Sequence, residues 1–215
     1  MSIRLERTSL TCPLCTRRFD SSRVIGFQIG GKDSDFCPQY AGGNPMPRLL
    51  HLCPSCGFIG FVPDFEVKYS PELRAKLRRT LAALGYKPGS QLQGAERYRR
   101  AALLAIYQGK PNAEIAELFL QATWCSRLDN ESEELESRAR RKAVEYFERA
   151  LEAGEIEDED KPVLIYLLGE LQRRLGRDEA ALACFSQLDD YRDVDDWLRD
   201  LRNQQRASIR RPASE

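Results

Sequence analysis

The chain has 215 residues, of which 42% are hydrophobic and 31% charged, with 33 basic and 33 acidic side chains. That apolar content is enough for a packed core and excludes a wholly disordered chain, and a net charge of zero gives no overall attraction to nucleic acid or anionic lipid. No run of about 18 apolar residues is present, and Met1 to Leu10 lacks the apolar stretch of a signal peptide, so a cytoplasmic protein with no membrane partner is expected, its seven cysteines kept reduced.

The chain changes character near residue 65. Residues 1–65 hold five of the seven cysteines, six of the eleven prolines and seven of the fourteen glycines, a density of turn formers that predicts a small, loop-rich unit. Arg23 to Ile29 is rich in β-branched and aromatic residues and predicts a strand, with a turn at Gly30-Gly31. A loop without regular structure is expected through Pro38, Gly42, Gly43, Pro45 and Pro47. Short strands follow at Arg48 to Leu52 and at Phe58 to Val62.

The second part reads as helix almost throughout. Ser70-Pro71-Glu72 is a helix start, Ser at the N-cap and Pro at the first helical position, and Gly85 ends that helix. Further helices are predicted at 92–108, 112–127, 132–153, 161–175, 178–188 and 191–205, with tight turns at Gly109-Lys110-Pro111 and Gly176-Arg177-Asp178. A repeat runs through them. Ala143, Phe147 and Ala150 have the spacing of Ala181, Phe185 and Leu188, and Leu168-Gly169 precedes the second set as in a tetratricopeptide repeat. A small residue lets two helices approach, and the aromatic fills the space below. An irregular helical bundle is the alternative. The expected fold is therefore α+β, mostly α: a ribbon-like head over 1–65, tetratricopeptide-like antiparallel hairpins over 66–206 and a disordered tail over 207–215.

The most specific chemistry lies in Cys12-Pro13-Leu14-Cys15 and Cys53-Pro54-Ser55-Cys56-Gly57. Two cysteines three apart on a tight turn can place both sulfurs on one metal. Proline after the first cysteine fixes φ, and Gly57 tolerates a left-handed backbone. Two such turns supply the four thiolates of a tetrahedral zinc-ribbon site, so Cys12, Cys15, Cys53 and Cys56 are expected to hold one structural zinc per chain. Four thiolates also suit iron, and a lone pair could be a redox dithiol, though two pairs without a βαβ context argue against that. The 37 residues between the pairs must fold back as a layer of their own. Cys37 and His51 lie near enough in sequence to be extra ligands. They read more simply as a buried thiol and a strand side chain, and Cys125 and Cys184 as helix core.

Other motifs carry less. Gly26 to Asp33 nearly spells a phosphate-binding loop, but Asp33 stands where a hydroxyl should hold magnesium, and no helix can follow before Pro38. The single histidine leaves little material for acid–base catalysis. Arginines cluster at Arg74 to Arg79, at Arg97 to Arg100 and at Arg138 to Lys142, with aromatic residues not interleaved as stacking platforms; they read as a solvated face.

Taken in order, Cys-Pro-x-Cys, Asp33-Ser34-Asp35-Phe36-Cys37-Pro38-x-Tyr40, Asn44-Pro45, Cys53-Pro54-Ser55-Cys56-Gly57-Phe58 and a helical repeat region resemble the bacterial family called domain of unknown function 2225. The resemblance covers about residues 8–200. It implies a bacterial cytoplasmic protein with a metal-binding head and a tetratricopeptide-like tail, and it brings no established activity. It also implies that Asp35, Cys37 and Asn44-Pro45 belong to the family motif, which draws attention to Cys37 as a near-metal residue.

The function expected from these readings is an adaptor, more a binding protein than an enzyme, whose helices accept a protein or peptide partner. One alternative is a nucleic-acid-binding zinc ribbon using Arg74 to Arg100. Another is a metal-dependent enzyme with an opened site near Cys37 and His51.

Overall fold

The computed structural model describes residues 3–192 and 194–210. Its strands pair as three separate antiparallel ribbons: β1 (Arg4–Thr11) with β2 (Arg18–Gly26), β3 (Gln28–Lys32) with β4 (Pro38–Ala41), and β5 (His51–Leu52) with β6 (Ile59–Gly60). The helices follow as α1 (Pro71–Ala83), α2 (Gly94–Gln108), α3 (Asn112–Leu128), α4 (Glu133–Glu152), α5 (Lys161–Arg174), α6 (Asp178–Gln187) and α7 (Asp196–Arg210). The fold is α+β and mostly α, as expected from the sequence.

The helices match expectation because their ends are chemically marked. The Ser70 hydroxyl accepts from the Leu73 amide at 3.2 Å and Ser132 does the same for Leu135 at 3.4 Å. Gly109 and Gly176 adopt φ of 71° and 71°, the left-handed stop that makes the short turns possible. The last helix begins at Asp196 rather than 191, after a 3-10 turn at Leu188–Asp190. It continues through residues 207–210, which corrects the expectation of a disordered tail for those four; residues 211–215 lie outside the described residues.

The head differs more. The expected strand Arg23–Ile29 is broken at Phe27, which separates β2 from β3. Gly30-Gly31 lies inside β3 with an irregular register, and the turn falls at Asp33–Cys37, where the Phe36 amide donates to the Asp33 carbonyl at 2.9 Å. The stretch from Pro38 to Pro47 is not wholly irregular, since β4 and the start of the 3-10 turn Met46–Arg48 lie in it. β1 was not expected at all. Only Leu10 of its eight residues is buried, so it carries no alternating apolar face to read.

Head and helices share one continuous core. Leu10, Phe19, Phe58 and Phe65 of the head join Leu77, Leu81, Tyr98 and Ala102 of α1 and α2 and continue into α3 to α5. The buried Tyr98 hydroxyl donates to the Met46 carbonyl at 2.8 Å, and Arg97 donates to the carbonyls of Pro47 and Leu50 at 2.9 and 3.2 Å. Among the described residues, no helix is long and apolar enough to cross a membrane.

In the hairpin of α5 and α6, a Cβ built on Gly169 would lie 2.5 Å from Cε1 of Phe185. This is the small–aromatic contact the repeat spacing anticipates. Gly169→Ala sets a helix-propensity gain of about 1 kcal/mol against overpacking of about 1–3 kcal/mol. The net is a loss of stability, read as a lower urea midpoint with an unchanged m-value.

Candidate metal centre

Both Cys-Pro-x-Cys segments are the turns of hairpins, one between β1 and β2 and the other between β5 and β6. The two turns are built alike. The Cys12 amide donates to the Arg17 carbonyl at 3.0 Å and the Thr16 amide returns to the Cys12 carbonyl at 2.9 Å. Cys53 with Phe58 and Gly57 repeats this at 2.8 and 3.0 Å. The fourth residue after each leading cysteine is left-handed, Thr16 at φ 60° and Gly57 at φ 77°. At Gly57 a side chain would also collide with the Tyr86 ring, 2.5 Å from its Cγ.

These turns bring four sulfurs together from opposite ends of the head. Cys12 Sγ lies 3.5 Å from Cys56 Sγ, and Cys15 Sγ lies 3.6 Å from Cys53 Sγ. All four lie within 4.8 Å of one another, with Cys12 and Cys53 buried. Sulfurs about 2.3 Å from a tetrahedral ion stand about 3.8 Å apart, so the cluster has the size of a metal-binding cage. None of the seven cysteines is in a disulfide. A dication placed among the four sulfurs favours the thiolate at every position.

Cys37 and His51 do not join the cage. Among the described residues, the four cysteines are the one group of three or more Cys, His, Asp or Glu side chains close enough to share an ion. His51 is buried, and its Nδ1 is 2.7 Å from the Ser21 hydroxyl of β2. Cys37 is buried at the β3–β4 turn, where loss of solvent pushes its thiol up to about 12. Cys37 is the buried thiol, and His51 the strand side chain, that the simpler reading of the sequence expects.

The rest of the family-like motif docks on the helices instead. Asp35, fully buried, receives Arg127 of α3 on both oxygens, at 3.0 and 2.5 Å, and Arg174 of α5 lies 3.7 Å away. Burial pushes this carboxyl up, but the Arg127 hydrogen bonds and the charges of Arg127 and Arg174 outweigh it and hold it below the ordinary carboxylate value. Ser34 bonds Glu170 at 2.7 Å and receives Arg174 at 3.0 Å, while Tyr166 donates to its carbonyl at 2.9 Å. Phe36, held at φ 63°, packs 5.5 Å from the Tyr166 ring and 6.2 Å from Trp197. Asn44 reaches Asp129, the residue that caps the end of α3, at 3.1 Å. The β3–β4 turn therefore lies like a bound peptide across α3, α5 and α7.

Arg127, Glu136, Arg140, Glu170 and Arg174 form the continuous charge network beneath this turn; Arg127 also bonds Glu136, which pairs with Arg140. Sequence reading passed over it. The available signal was Glu170, a lone acid within the apolar run of α5 and spaced i,i+4 from Arg174.

Fold and site together define a helical-hairpin protein whose β-ribbon head carries a four-cysteine cage. The chain belongs to the family described as uncharacterized protein conserved in bacteria, domain of unknown function 2225, whose family model matches residues 5–209. No curated protein and no solved structure matches it.

Proposed function

We propose that this protein is a cytoplasmic, zinc-stabilised binding module that holds a protein or peptide partner on its helices and catalyses no reaction of its own. The observation that carries this reading is the closed four-sulfur cage. Four thiolates complete a tetrahedral zinc ion and leave no position for a substrate or an activated water. The groups an enzyme would recruit, Cys37 and His51, are committed to packing and to Ser21. Zinc suits four thiolates on paired knuckles, and its role here is to hold a head whose ribbons bury little by themselves.

Two measurements test it. X-ray absorption of the purified protein is expected to show one zinc per chain with four sulfur neighbours; an oxygen or nitrogen neighbour in the shell would overturn the closed site. Crosslinking in native bacterial extract is expected to give a discrete heavier species that disappears on chelation. A chain that stays monomeric under both conditions would overturn the binding role.

A further inference from the structure

We infer that the groove between α2 and α4 is the docking site for a short acidic peptide segment that also carries apolar side chains. This rests on the binding-module reading and names the partner's chemistry. The groove encloses ≈ 700 Å³ and is separate from both the cysteine cage and the face occupied by the β3–β4 turn. Its floor is apolar, formed by half-buried Leu84, Leu103 and Leu135 and by Phe119 of α3. Its walls are basic: Arg99 and Arg100 come from α2, and Arg138, Arg141 and Lys142 from α4. These two clusters lie some 40 positions apart in the sequence, and only the packing of α2, α3 and α4 assembles them into one wall.

The two acids in the groove offset only part of that wall. Glu96 is committed to Arg99 and Arg100, each at 2.6 Å, and Glu145 to Lys142 and Arg149, each at 2.7 Å. Arg138 has no ion pair or side-chain hydrogen bond among the described residues, and Arg141 donates only to the Ser137 hydroxyl at 2.8 Å. A guanidinium fork matches a carboxylate in two places at once, and the exposed Arg138 is open to receive one. The chain has no net charge, so this excess of five basic over two acidic side chains is local.

The apolar floor decides what kind of anion fits. A nucleic acid would need open aromatic faces and a long track of cations. Phe119 is only 5% exposed and already stacks on Tyr146, ring centroids 5.8 Å apart. Arg97, Arg127, Arg140 and Arg174 point inward to carbonyls and carboxylates. Leu or Phe side chains on the floor with Glu or Asp at the rim satisfy both halves of the groove.

The test uses the full chain, metal-loaded, and a short fluorescein-labelled peptide of alternating Glu and Leu residues, read by fluorescence anisotropy. Binding is expected, weakened about tenfold or more by the double variant Arg138→Glu with Arg141→Glu, exposed positions whose change leaves metal content and circular dichroism as they were. A peptide with Ser in place of Leu is expected to bind about tenfold more weakly. Equal binding of the Ser peptide, tighter binding of oligouridylate, or indifference to the double variant would each overturn the proposal. If the double variant still forms the chelator-sensitive heavier species in extract, this groove assignment falls while the binding-module reading stands.

Discussion

A chain stripped of metal by chelation will lose its head and the packing of α1 and α2, but keep α3 to α6. Binding of a structural ion to four thiolates supplies on the order of 10 kcal/mol to the segment that folds around it. Cys12 and Cys53 belong to the same core cluster as Leu77, Leu81 and Tyr98, so the damage does not stop at residue 65. Limited proteolysis is expected to cut first within residues 1–65 and then around α1, leaving a resistant fragment from α3 onward. Cys53→Ser should reproduce the pattern without chelator and purify with little metal. Full resistance of residues 1–65 in the stripped protein would show that the ribbons stand without the ion.

Asp35→Ala will be the most damaging single change away from the cysteines. It removes the two-point grip of Arg127, which keeps Asp33 and Glu136 while Arg174 keeps Glu170, a loss of about 3 kcal/mol for two hydrogen bonds to a charged group. Asp35→Asn keeps the shape and loses the charge, so it falls between that variant and the parent. The pH dependence has a definite sign. The folded Asp35 carboxyl lies below its unfolded value, so its contribution is complete above about pH 4 and vanishes as pH falls through the depressed folded value. The stability gap between Asp35→Asn and the parent, from urea melts at several pH values, should be constant near neutrality and close only in acid. A gap that widened in acid would refute the assignment.

What could be read beforehand divides along physical lines. The helices were legible because their signals are local: Ser70 and Ser132 cap by reaching three residues ahead, and Gly109 and Gly176 stop by their own backbone freedom. The cysteine cage was legible because turn chemistry at each pair is also local. β1 was not, because a ribbon exposed on both faces has no apolar alternation. Asp35 stood out only as part of the family-like motif, and its partners are Arg127 and Arg174, set by how the helices stack and invisible to spacing. The arginine clusters look like ordinary solvated faces in one dimension and become one wall only in three.

The bridge between Ser34 and Arg174 spans 140 positions. On the ribosome the head leaves the exit tunnel long before α5 exists, since synthesis runs from the N-terminus. The thiols of residues 12, 15, 53 and 56 are complete at that moment, whereas the arginines that will seat the β3–β4 turn are still untranslated. Under the zinc proposal, metal capture is a long-range cross-link open to the nascent head, able to hold the two cysteine turns together until the helices arrive to close over them.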